Sequence, residues 1–155
     1  MSVKSRKPRP PLIELERFLP YRLNVVAESV SRNLSQLYAD RHGISVSEWR
    51  IIATLGQYRR MTAKEIGAHS RMHKTKVSRA VARLSNRGCL AKSSNHEDKR
   101  EAFLELTADG RAIYDDLVPR ALAFESSLAD RLTASEKQAL EAILSKLDGS
   151  SGQDD

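Results

Sequence analysis

The stretch HKTKVSRAVARLSNRG, His73 to Gly88, decides the fold. At about 100° per residue, Val77, Ala80, Val81 and Leu84 fall in one sector of a helical wheel. Thr75, Lys76, Arg79 and Arg83 fall in a sector almost opposite. One face is suited to pack on a scaffold, and the other presents three cations and a hydroxyl. No acid occurs from Lys74 to Arg87. A helix that only needed to be soluble would usually mix acids among its bases, as salt-paired faces do. The plainer alternative is a solvated basic surface, so the flanking sequence has to decide.

Downstream the period of the pattern changes to two. Ala102, Leu104 and Leu106 alternate with Glu101, Phe103 and Glu105, which predicts a strand over 101–106. Leu90 to Ser94 is a weaker partner, joined to it through Asn95 to Lys99. Upstream, Ser45 to Glu48 and Thr62 to Glu65 are Ser/Thr-x-x-Glu strings, and Thr133 to Glu136 is a third. In each the hydroxyl can cap a free backbone N–H while the glutamate reaches back. They predict helices near 46–58, 63–70 and 134–147. With 74–87 this makes helix, link, helix, tight turn, helix, the layout of a helix-turn-helix followed by a two-stranded wing.

The outer segments are helical too. From about Ile13 to Arg41 the chain reads as helix, with Pro20 either opening its main part or kinking it. Leu19, Leu23, Val26, Val30, Asn33 and Leu37 recur at 4-3-4-3-4 spacing, a seam for packing on partner helices. His42-Gly43 ends that helix. Thr107 caps a second long helix to about Leu132, with Pro119 as a kink. Residues 1–11 and 149–155 are expected to be disordered tails.

Charge is distributed in blocks. Residues 59–100 hold 12 Lys and Arg against 3 Asp and Glu, a net +9, whereas residues 101–155 hold 5 against 12, a net −7. A positive middle steers an anionic partner. One cysteine, Cys89, excludes an internal disulfide and suits a reducing, cytoplasmic setting. No apolar run is long enough to span a membrane, and prolines stand where a signal peptide would have its apolar core. At 155 residues one domain is expected, over 12–148.

These residues together carry a family resemblance. Asp98-Lys99-Arg100-Glu101-Ala102-Phe103-Leu104-Glu105-Leu106-Thr107-Ala108-Asp109-Gly110 resembles the D-x-R-x-x-x-L-x-L-T-x-x-G wing signature of the MarR family of bacterial transcription regulators. Lys74-Thr75-Lys76-Val77-Ser78-Arg79 is similar to that family's K-S/T-x-V-T-R recognition-helix start, with Ser78 for the usual threonine. Arg83-Leu84-Ser85-Asn86-Arg87-Gly88 is similar to R-L-E-x-x-G-L, with Ser85 for the acid and Cys89 for the following leucine.

The resemblance implies an α+β, mostly α, winged helix-turn-helix. Its DNA-binding lobe would span 46–106, and the helices over 12–42 and 107–148 would form a homodimer. Such proteins usually repress transcription at pseudo-palindromic double-stranded operators. Many release DNA when a small, often aromatic, anionic effector binds. Carried over, Lys74, Thr75, Lys76, Ser78, Arg79 and Arg83 would face DNA on the helix, with Asp98, Lys99 and Arg100 at the wing tip. There Arg100 would enter the minor groove, held by Asp98, with Lys99 on phosphate. Thr62, at a helix N-terminus, would add a phosphate contact. The effector site would lie among Tyr21, Arg22, Asn24, Trp49, Arg50 and Tyr114, where an arginine with aromatics suits an aromatic carboxylate.

Other chemistries fit less well. No glycine-rich phosphate loop, G-x-S-x-G elbow or complete metal-ligand set occurs, so neither an enzyme nor a cofactor is expected. His69 and His73 are four apart but separated by the expected turn, and His96 begins HEDKR without the second histidine of H-E-x-x-H. Cys89 follows the helix-ending glycine at a usually apolar position, which suits a small buried hydrophobe. A redox- or metal-responsive regulator of the same fold and a sequence-indifferent architectural DNA-binding protein are the alternatives.

Overall fold

A computed structural model describes residues 11–149, so the two tails lie outside the described residues except for Pro11 and Gly149. The elements are α1 (Leu19–His42), α2 (Val46–Tyr58), β1 (Arg60–Thr62), α3 (Ala63–Ser70), α4 (Lys74–Asn86), β2 (Leu90–Ser94), β3 (Ala102–Leu106), α5 (Ala108–Ala129) and α6 (Ala134–Leu147). All three Ser/Thr-x-x-Glu boxes close in both directions, starting α2, α3 and α6. Each thus satisfies two of the orphan donors at a helix N-terminus.

Two boundaries differ from expectation. The first helix does not begin at Ile13: residues 15–17 form a turn, and Pro20 lies in the first turn of α1. Starting there avoids a lost N–H and a ring clash with the carbonyl of Glu16. The helix ends at Gly43 in the left-handed region (φ 61°), whose N–H bonds back to the Ala39 carbonyl. At the other end, α5 stops at Ala129, with Pro119 inside it.

The sheet has the order β1-β3-β2, antiparallel throughout. Strand β1 has no counterpart in the sequence pattern. Three residues cannot display a period, and Arg-Met-Thr becomes a strand by pairing with β3, Arg60 opposite Glu105 and Thr62 opposite Phe103. The Arg60 guanidinium lies 4.3 Å from the centre of the Phe103 ring.

The core lies between α2, α4 and the sheet, closed by α5. Ile51, Ile52 and Leu55 of α2 meet Ala80 and Leu84 of α4, Ile66 of α3, Leu104 of β3 and Leu117 of α5. The four buried residues of α4 are Val77, Ala80, Val81 and Leu84, the packing face expected from the wheel. By contrast, α6 buries no side chain, leaving Leu140, Ile143, Leu144 and Leu147 exposed. The first half of α1 is bare as well, including Leu19, Leu23 and Val26. No helix among the described residues is long and apolar enough to cross a membrane.

Candidate nucleic-acid interface

The turn that aims α4 is Arg71-Met72-His73. Arg71 takes a left-handed conformation (φ 52°) and caps α3 through its N–H to the Gly67 carbonyl. Met72 is buried, pinning the turn to the core. His73 then starts α4, its Nδ1 accepting from the Thr75 N–H at 3.3 Å. His69 instead meets the Tyr58 hydroxyl at 3.1 Å. The two histidines are thus used separately, and no group of three metal-ligating residues occurs among the described residues.

Above the buried stripe, Lys74, Thr75, Lys76, Ser78 and Arg79 are all exposed. None of their side chains bonds to another described residue. Beside them a groove of about 900 Å³ runs between α3, α4 and the wing. Met72, Val77, Val81 and Leu104 form its apolar floor, with Lys64, Lys74, Lys92 and Arg100 on its walls and one acid, Glu101. Lys64 and Lys92 are contributions the sequence reading missed. Neither stands in a motif, and only the packing of α3 and β2 around α4 brings them in.

The wing tip is built by short polar side chains. Asn95 Oδ1 accepts from the N–H groups of Glu97 (3.1 Å) and Asp98 (3.3 Å). Asp98 Oδ1 accepts from the Arg100 N–H at 2.9 Å. Asp98 therefore shapes the backbone, and the expectation that it holds the Arg100 guanidinium is corrected. The short side chain favours this: an aspartate folds back onto the N–H two residues on, as in an Asx turn, more easily than it holds a mobile side-chain end. Lys99 and Arg100 are left exposed without an ion-pair partner among the described residues.

Two further expectations need correction. Thr62 is buried at 3% exposure, its hydroxyl accepting from the Glu65 N–H and its own N–H donating to Glu65 Oε2 at 2.7 Å. The capping box uses both groups, so the Thr62 side chain is not available to a phosphate. Arg83 shares a wheel sector with Arg79 but points to a different task. Its Nε donates to Glu48 Oε1 at 2.9 Å, and Glu48, only 4% exposed, would otherwise be a buried charge with its capping contact alone. Arg83 thus ties α4 to α2.

The six candidate effector residues do not converge within one chain. Tyr21, Arg22 and Asn24 stand exposed on the bare half of α1. Trp49 stacks on Tyr38 with ring centres 5.6 Å apart. Tyr114 is wedged against Gly56 with the Arg111 guanidinium 5.1 Å above its ring. Arg50 is exposed, near enough to Tyr38 to oppose the rise that burial gives that phenol's pKa. No hydrogen bond, ion pair or ring contact joins the α1 set to Trp49, Arg50 or Tyr114. Cys89 is buried, and that burial pushes its thiol pKa up, away from the reactive thiolate.

The polar bonds behind α4 were not anticipated. Asp116 of α5 accepts from Arg41 twice, at 2.9 and 3.0 Å, and lies 2.8 Å from His42 Nε2. Hydrogen bonding to Arg41, then to His42, holds the Asp116 carboxyl well below the usual carboxylate range.

The geometry is that of a winged helix-turn-helix, and sequence comparison agrees. The MarR family model matches residues 44–102. An HTH-type transcriptional regulator of Bacillus subtilis, YwoH, is 26% identical over 125 residues, covering 81% of this chain and 90% of YwoH. Residues 44–102 therefore carry a MarR-family domain. Two solved structures share the fold. A cysteine-to-serine mutant of MarR from E. coli complexed with operator DNA superposes with a TM-score of 0.75 at 22% identity, covering 83% of this chain and 92% of that one. NadR in complex with 4-hydroxyphenylacetate gives 0.74 at 18% identity, covering 90% and 97%. With that domain the chain is a transcriptional regulator of the winged-helix type, and its named relatives are regulators, not enzymes.

Proposed function

We propose that this regulator is a cytoplasmic homodimer that binds a pseudo-palindromic double-stranded operator as a repressor and releases it on binding a small aromatic acid. The observation carrying the DNA reading is the division of α4. Lys74, Thr75, Lys76, Ser78 and Arg79 are free and exposed over a stripe that is wholly buried. A major groove admits such a helix, and an arginine fork can make two hydrogen bonds to one guanine edge. Arg79 is assigned that role, with the lysines on phosphate. Arg100 projects from a tip stiffened by Asn95 and Asp98 and is assigned to the minor groove, with Lys99 on the adjacent backbone.

The domain scheme follows the same division. Residues 46–106 act as the reading lobe, and the helices within 12–42 and 107–148 act in pairing. Supporting this, α6 buries nothing within its own chain, while Leu140, Ile143, Leu144 and Leu147 remain in water. Fully burying one such side chain is worth about 1.5–3 kcal/mol, so a second copy covering the row and the bare half of α1 would be strongly favoured.

The effector reading rests on Tyr21, Arg22, Asn24, Trp49, Arg50 and Tyr114 becoming neighbours only when dimer helices assemble around them. The acid bound by the NadR structure is of the class proposed here.

The test is a duplex-binding competition at fixed salt, with the promoter region next to the gene against random DNA, repeated with salicylate- and cinnamate-like acids. Sequence preference is expected, weakened by at least one acid, with transcription rising when the protein is absent. Equal binding to random DNA would overturn the regulator reading in favour of an architectural one. If no acid alters binding and calorimetry records no uptake, the effector class is wrong.

A further inference from the structure

The end of α1 is held from two sides. On one side, Asp116 of α5 takes two hydrogen bonds from Arg41 and one contact from His42. Arg120, one turn further along α5, stands 3.5 Å from the same carboxylate. On the other side, Arg87 donates to the His42 carbonyl at 2.7 Å and reaches the Gly43 carbonyl at 3.5 Å. The last carbonyls of a helix lack intrahelical donors and carry partial negative charge, so a guanidinium suits them. Arg87 is the residue that caps α4. No hydrogen bond or ion pair among the described residues joins α4 to α5 directly. One polar route between them runs through His42; a second runs from Gly88 and Cys89, just past α4, to Thr107 at the start of α5, and a third through α2, whose Gly56 carbonyl accepts from Arg111.

We propose that Asp116 and Arg87 are positioning residues that act in series, fixing the angle of the recognition helix α4 relative to α1 and α5. The proposal rests on the DNA-reading dimer described above. In such a dimer, α1 and α5 belong to the shared frame and α4 to the reading lobe. The link between them sets how far apart the two recognition helices lie, and hence which half-site spacing fits both at once. Neither residue touches DNA. Arg83, one turn before Arg87, holds α4 to α2 within the lobe and does not touch α1 or α5 itself.

A series link makes a specific claim about pairs of substitutions. Breaking either member interrupts the whole route through His42, so breaking both adds little more to what that route contributes. Independent contributions would instead add. The duplex is obtained by selecting the tightest binders from a random pool with the full chain. It is then compared with the same duplex carrying one extra base pair between half-sites, and with a single half-site. Asp116→Asn and Arg87→Gln should each weaken binding to the selected duplex roughly tenfold, a typical coupling between sites. Each should leave single half-site binding near wild type and reduce the discrimination against the extra base pair. The double variant should bind about as each single one does, while their effects on melting temperature add. Arg87→Lys, which keeps one donor for the His42 carbonyl, should restore most of the spacing discrimination.

Should Asp116→Asn fail to fold, Arg41→Gln paired with Arg87→Gln makes the same comparison. Full additivity in DNA binding, or unchanged spacing discrimination in both singles, would overturn the series link. Equal losses on half-site and full duplex would reduce both residues to ordinary stabilising contacts and overturn it too. A pool that yields no preferred sequence overturns the DNA reading and the positioning role with it.

Discussion

Gly110 closes the wing signature, and replacing it by alanine tests why a glycine stands there. It lies in the first turn of α5, where Thr107 Oγ1 accepts from its N–H at 3.1 Å. A methyl group added to it would run into the Cys89 carbonyl oxygen, with the carbonyl carbon at 3.1 Å and Leu106 Cδ2 at 3.2 Å. Two of these are backbone atoms and cannot swing aside. To make room, the start of α5 must retreat from residues 88–89. Two bonds hold it there: Thr107 N–H to the Cys89 carbonyl at 3.0 Å, and the Thr107 hydroxyl to the Gly88 carbonyl at 2.6 Å.

In open helix, alanine would be favoured over glycine by about 1 kcal/mol. Against that, overpacking costs roughly 1–3 kcal/mol, and each weakened hydrogen bond about 1 kcal/mol. The net expectation for Gly110→Ala is a loss of roughly 2–4 kcal/mol, or a fall of about 5–15 °C in melting temperature for a chain of this size. Urea and thermal unfolding followed by circular dichroism would measure it. Gly43→Ala is the reference. Gly43 has a positive φ but no atom within 4 Å of the added carbon, so only backbone strain of about 1 kcal/mol applies. If Gly110→Ala is as stable as the parent, or more so, the close approach of α5 to Cys89 is not what requires the glycine.

Arg79→Ala should cost on the order of 1–3 kcal/mol in operator binding and relax preference at one position per half-site. Arg100→Ala should weaken binding broadly, most with A·T-rich flanks, and flatten the salt dependence by about one unit of slope. Glu105→Ala, on the strand away from the tip, should lose little; the wing assignment is wrong if it fails while Arg100→Ala binds normally. Arg83→Ala leaves Glu48 buried without its cation and should cost about 1–3 kcal/mol in urea unfolding, allowing for the exposure of Arg83; Glu48→Gln in the same background should recover part of it. Because the Asp116 carboxyl titrates below its ordinary value of 3.8, its contribution to stability is complete above that value and is lost as pH falls below it. Melting temperature should therefore fall less steeply from about pH 4 to pH 2 in Asp116→Asn than in the parent. Sedimentation at micromolar concentration should give twice the 17.4 kDa chain mass, and a clean monomer would refute pairing through α1 and α6.

What the sequence determined by itself is what short-range physics controls. The three capping boxes act over four residues, and the two faces of α4 follow from a 3.6-residue period. Both were therefore legible, as was the switch to period two in β3. The tertiary structure decided which polar groups remain available. Arg79 and Arg83 are equivalent on a wheel, yet only Arg83 meets a carboxylate, one brought by Glu48 from 35 residues upstream. Thr62 reads as an open helix start until β1 pairs with β3 and its side chain is buried. Arg41 and Asp116 meet across 75 residues, and no local pattern announces that bond. A helix period fixes the direction in which a side chain leaves its own axis. Whether it then meets a partner or water depends on where the other helices lie, and burial with long-range pairing settles that only once the chain has folded.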